Sequence, residues 1–81
     1  MVESKLAVLA IIVENADAVQ KVNGLLHEFG DYILGRMGLP CKQRGLSVIS
    51  IIIDAPMQTI NSLSGKLGMI DGVSSKTLTA R

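Results

Sequence analysis

"LAVLAIIV", residues 6–13, decides how this chain is read. An apolar run of this length near the start has the size of a secretory signal core, and "ADA" at 16–18 imitates a small-residue cleavage site. Yet Glu3 stands beside Lys5 where a positive cluster belongs, and Glu14 and Asn15 interrupt the approach to the supposed cut. Laid out as a strand, Leu6, Val8, Ala10 and Ile12 take one face while Ala7, Leu9, Ile11 and Val13 take the other. A strand that is apolar on both faces belongs at the centre of a sheet. The strand reading carries the expectation of an unprocessed, cytoplasmic protein. The run is too short for the ~20 residues that a helix needs to span a bilayer, so no membrane partner is expected.

Downstream, Asn15 is placed to cap a helix, with Asp17 in its first turn where the helix dipole favours a carboxylate. Val19, Val22, Leu25, Leu26 and Phe29 form a helical stripe that Gly30 is expected to close. Gly24, inside that helix, costs about 1 kcal/mol relative to alanine and predicts close approach of another backbone. The segment 33–42 carries Gly35, Gly38 and Pro40, and a proline that cannot donate a ladder hydrogen bond places it at a sheet edge. After the turn Gln43-Arg44-Gly45 comes a second apolar strand, "LSVISIIID", 46–54. Asp54 is expected to cap a second helix, with Pro56 in its first turn.

That second helix shows Ile60, Leu63, Leu67 and Ile70 as one stripe, with Gly68 expected to end it in a left-handed conformation. The stretch "SGKLGMIDGVSSKT", 64–77, superficially suggests a phosphate loop. A P-loop needs G-x-x-x-x-G-K-[ST], but Ile60 stands where the first glycine belongs and Leu67 follows Lys66. The reading is helix end, turn at Gly72, and a polar edge strand over 73–79. The order is β-α-β-β-α-β in one domain over 1–81. With the two apolar strands inside, the sheet order is 4-1-3-2, an α+β, ferredoxin-like sandwich with both helices on one face. The other face of the inner strands is also apolar. A second copy of the chain is the simplest cover, which predicts a homodimer or homotetramer.

Composition narrows the function classes. The chain has 81 residues, 48% of them hydrophobic, with one Phe, one Tyr and no Trp. A domain of this size buries only about 60% of its unfolded surface, so some of that aliphatic material is expected to pack against another chain. The net charge of +1 gives no electrostatic case for direct nucleic-acid binding. Sheets that read RNA stack bases on aromatic residues, and these strands have almost none. The single cysteine, Cys41, precludes an internal disulfide and fits a reducing compartment. His27 and Cys41 are the only soft metal ligands, too few for a closed site within one chain. No metal and no specific cofactor is assigned.

"GRMG", 35–38, is similar to the arginine-bearing loop of acylphosphatases. In that family the loop joins the first strand to the first helix, whereas Arg36 follows the first helix, so catalysis of that kind is not expected. The blocks "VNGLLHEFGDYILGRMGLP", "ISIIIDAP" and "LSGKLGMIDGVSSKT" closely resemble the small ACT-like proteins named as regulators of the iron-only hydrogenase system. The match runs over nearly the whole chain. It implies kinship with ACT domains and with the ligand-binding domain of the nickel-responsive repressor, and a bacterial cytoplasmic protein tied to hydrogenase maturation or expression. Amino-acid-binding ACT domains carry a glycine at the start of the first helix, where this chain reads "ENADAV", 14–19.

The function read from all this is a non-catalytic effector-binding or interaction module, acting as a homo-oligomer. An acylphosphatase-type enzyme and a purely structural oligomerisation domain are the alternatives. The candidate contacts to a small anionic ligand or a protein partner are Asn15, Arg36 and Lys66. Asn15 brings the N–H groups of a helix start, Arg36 lies between two glycines, and Lys66 flanks the second helical stripe.

Overall fold

The computed structural model describes residues 3–80. Its elements are β1 (Ser4–Val13), α1 (Ala16–Glu28), β2 (Ile33–Cys41), β3 (Leu46–Pro56), α2 (Met57–Gly68) and β4 (Val73–Thr79). Short 3-10 turns, Gly30–Tyr32 and Lys42–Arg44, precede and follow β2. The sheet runs β2-β3-β1-β4 with every neighbouring pair antiparallel, which is the expected 4-1-3-2 order read from the other side. The two apolar strands therefore do lie in the middle, and the glycine- and proline-bearing β2 and the polar β4 lie at the edges.

Side-chain alternation sorts the strands into two faces. Ala7, Leu9, Ile11 and Val13 of β1 meet Ile49, Ile51, Ile53 and Ala55 of β3 on one face, all buried. Ala18, Val22, Leu26 and Phe29 from α1 and Ile60, Leu63 and Leu67 from α2 close over them in one core. No polar or charged residue is buried among the described residues, so the core is held by apolar packing alone. The opposite face is open. Leu6, Val8 and Ile12 of β1, Met37 and Leu39 of β2, Val48 and Ile52 of β3 and Leu78 of β4 all remain exposed there. Along this open face Met37, Ser50, Ala10 and Lys76 align in one cross-strand row, whose two small central side chains lie between two apolar rows.

Several expected helix ends fall elsewhere, for reasons that lie in the pairing. β3 runs on to Pro56 because Ser4 and Lys5 pair with Pro56 and Ala55, so Asp54 is a strand residue opposite Leu6. Pro56 takes the position before α2 and provides no side-chain cap. Gly68 stays inside α2, and the left-handed residue is Gly72 at φ +82°. Gly30 likewise has no positive φ and starts a 3-10 turn. Gly45, at φ +68°, turns β2 into β3. Gly24 faces open space, with nothing within 4 Å of where a Cβ would stand, so no backbone of the same chain approaches it.

Candidate functional groove

The structure builds one groove from α1 and the β2–β3 hairpin. α1 covers the centre of the sheet and leaves the helix-side surface of β2 uncovered, because β2 is offset to the edge. A cleft of about 390 Å³ opens at the start of α1, walled by Asn15, Val19 and Gln20 and by Pro40, Cys41 and Lys42. A second hollow of about 190 Å³, with Asn23, Arg36, Gly38 and Ile49 at its walls, continues from it. Val19, Pro40 and Ser47 line both, so the two form one trench along α1. Gly38 keeps the floor open: a Cβ there would only reach ordinary contact with Ile49.

At the first end, the Asn15 side-chain oxygen accepts a hydrogen bond from the Ala18 amide at 2.8 Å, as an N-cap does. The Glu14 amide donates to the Gly72 carbonyl at 2.7 Å, which ties the start of α1 to the turn before β4. A side chain on Gly72 would run into the Asn15 carboxamide, and its φ of +82° already disfavours one. Gly72→Ala is therefore expected to cost about 1–3 kcal/mol through the left-handed strain and the displaced cap. A chemical-denaturation midpoint reads this directly, and an unchanged midpoint would mean that the turn is free to rearrange.

At the second end, Arg36 shares the helix-side face of its strand with Ile51, its partner on β3. One of its terminal N–H groups donates to the Asn23 side-chain oxygen at 2.8 Å, which holds the guanidinium beside the trench. The rest of the donor fork is left for another group. The sequence singled out Arg36 but not Asn23. Its only local sign is that Gln20 and Asn23 follow one another at helical spacing beside the stripe Val19-Val22-Leu26.

Asn15 and Arg36 thus stand at the two ends of one trench, and Lys66 is not brought to it. The Lys66 ammonium lies 3.8 Å from a Glu28 carboxylate oxygen and 5.4 Å from the centre of the Phe29 ring. Its position late in α2 turns it towards the far end of α1, away from Asn15 and Arg36. An exposed pair of this kind contributes little to stability. A separate hollow of about 310 Å³ between Phe29, Tyr32 and α2 contains Glu28 but neither Arg36 nor Asn15. His27 is exposed in the last turn of α1, and Cys41 is a half-buried free thiol in the trench wall. Among the described residues no cluster of three or more His, Cys, Asp or Glu could hold a metal ion. No helix among them is long and apolar enough to cross a membrane.

The sheet order, the one-sided helix layer and the trench at the α1 start define a small ACT-like domain of the ferredoxin type. The ACT domain of GTP pyrophosphokinase from Chlorobium tepidum superposes with a TM-score of 0.79 at 19% identity, covering 93% of this chain and 99% of that one. The chain belongs to the TM1266-like family, described as "Iron-only hydrogenase system regulator, putative", whose model matches residues 5–77. It is similar to the uncharacterized protein TM1266 from Thermotoga maritima, at 39% identity and a TM-score of 0.95 over 98% of this chain and 100% of that one. A nitrogen regulatory PII-like protein, CPII from Thiomonas intermedia K12, solved with ADP, AMP and bicarbonate, matches at 18% identity and a TM-score of 0.54, over 99% of this chain and 100% of that one. Comparison with curated proteins finds no match.

Proposed function

We propose that the protein is a non-catalytic, cytoplasmic effector-binding module that works as a homo-oligomer in regulation linked to the iron-only hydrogenase system. The observation that carries this is the trench, which has a helix start with Asn15 at one end and a tethered Arg36 at the other. Two cations, Lys42 and Arg36, line it, and no carboxylate does. Such a lining favours an anion, held by helix N–H groups and a guanidinium fork. Covalent catalysis would need a nucleophile with a base beside it. Cys41 and Ser47 lie in the trench without a histidine or carboxylate among the lining residues. ACT-like and PII-like neighbours with the same chain course include one solved with anionic small molecules, which agrees with this reading.

Self-association is supported by the open sheet face, where eight large apolar side chains stay exposed on four adjacent strands. Its strand residues carry two charges, Asp54 and Lys76, of opposite sign, so the face does not repel its own copy. With no recognition helix and no basic stripe among the described residues, action on nucleic acid would run through a partner.

Arg36→Ala tests the site. It should lower the affinity for an anionic effector at least about tenfold while leaving the melting temperature nearly unchanged, since its only recorded bond is to exposed Asn23. Lys66→Ala should leave that affinity alone, because its ammonium faces Glu28. Calorimetric titration with a panel of small organic anions makes the comparison. Equal loss in both variants, or loss in neither, refutes the assignment.

A further inference from the structure

We propose that the trench takes a linear dianion, a molecule with a carboxylate at each end and an aliphatic middle. This rests on the effector-binding reading above and names the ligand's chemical class. The trench is long and narrow. Asn15 and Asn23 are eight residues apart on α1, which at about 1.5 Å per residue separates their backbones by roughly 12 Å. Cationic groups stand near both ends: Lys42, on the hairpin facing the start of α1, and Arg36, held by Asn23. Between them the surface is mainly apolar, made of Val19, Pro40, Leu46 and Ile49, with the Gln20 amide along one side and the Ser47 hydroxyl as the polar group shared by both hollows.

A ligand with a single acidic group would satisfy one end and leave the other cation unmatched. A polar middle, such as a sugar, would be stripped of water against Val19, Pro40 and Ile49 with few partners to replace it. A nucleotide needs a flat face on which its base can stack, and the chain's two aromatics, Phe29 and Tyr32, lie in the hollow at the opposite end of α1. The acidic side chains nearest the first end, Glu14 and Asp17, line neither hollow. At the second end, the fork of Arg36 matches a carboxylate in two-bond geometry, with Asn23 fixing the plane of the guanidinium.

The test follows the backbone amides of Ala16, Val19, Lys42 and Ser47 by NMR during titrations of the full chain. The probes are succinate, adipate, suberate and azelate, the monocarboxylates hexanoate and octanoate, and ADP. One of the longer dicarboxylates should bind at least about tenfold tighter than the monocarboxylate of equal carbon number. Lys42→Gln and Arg36→Gln should each remove that preference, and Lys42→Arg should retain it. Gly38→Leu should weaken all probes by filling the floor. If mono- and dicarboxylates bind alike, the two-headed ligand is refuted and the anion site stands. If ADP binds more tightly than every dicarboxylate, the ligand class is wrong. If no probe shifts these amides, both the ligand class and the effector-binding reading fall.

Discussion

Ile52→Glu is expected to turn the proposed oligomer into a monomer with its fold intact. Ile52 lies at the middle of the open sheet face, opposite Val8 on β1 and next to Gly35 on β2, and it is 44% exposed in the single chain. In the isolated chain a carboxylate there meets water and should cost little. Buried between two copies it would lose that water, a penalty of several kcal/mol at each of two symmetric positions. Completing the burial of each half-exposed apolar side chain contributes on the order of 1 kcal/mol, so eight of them per copy make a substantial association energy. The dissociation constant should therefore rise by at least about a hundredfold. Light scattering coupled to size-exclusion chromatography reads the mass, and far-UV circular dichroism checks the fold. A variant that keeps the wild-type mass would show that the copies meet through another surface. A wild-type protein that is itself monomeric at micromolar concentration would remove the oligomer from the proposal.

Leu9→Ala should produce a loss of stability among the largest of the core truncations. Leu9 is fully buried on the helix side of β1, opposite Ile51, and both helices close over that part of the sheet. Removing its branched end takes away transfer energy and leaves a cavity that the packed helix and sheet layers cannot collapse to fill. The cost is about 2–5 kcal/mol. Domains of this kind have total stabilities of about 5–15 kcal/mol, so the variant should sit near its unfolding threshold at physiological temperature. Leu78→Ala gives the contrast when both truncations are made in the Ile52→Glu monomer, because Leu78 is 75% exposed there at the outer strand, so its truncation should change folding stability by less than about 0.5 kcal/mol. Urea unfolding of the two variants at matched protein concentration makes the comparison. Similar losses in both would mean that the open face is buried as deeply as the core.

The architecture was legible because its signals are collective. Residues 6–13 are apolar throughout, and 46–54 carry Leu46, Val48 and Ile52 on one side and Ile49, Ile51 and Ile53 on the other, so no turn or cap is needed to see that they belong in the centre. The helix ends were not legible, because each depends on a distant strand. Asp54 is a good cap by type, but Ser4 and Lys5, some fifty residues away, extend the ladder past it. Gly68 and Gly30 are good helix stops by type, yet the chain turns where it must meet Glu14 at Gly72 and where β2 begins its ladder at Ile33. The same holds for the site. Asn15 capped its helix as its position indicated, whereas the tether between Asn23 and Arg36 joins two elements and has no signature in either alone. Lys66 sat beside the right stripe, but which neighbour it faces is settled by how the two helices pack, and that neighbour is Glu28.

The chain course also sets an order in time. Only β2 and β3 are joined by a short turn, with Cys41 paired to Leu46, so that hairpin can close within microseconds of being made. β1 is different: Val13 waits for Ser47 on one side and for Val73 on the other. At ribosomal speeds of about 5–20 residues per second, the most apolar strand spends seconds as an unpaired ribbon. Until β4 arrives it keeps one edge open even after β3 has docked. Nascent chains are thus most vulnerable to edge-to-edge association while β4 is still being synthesised, and the polar stretch Ser74-Ser75-Lys76 is the piece that seals that edge.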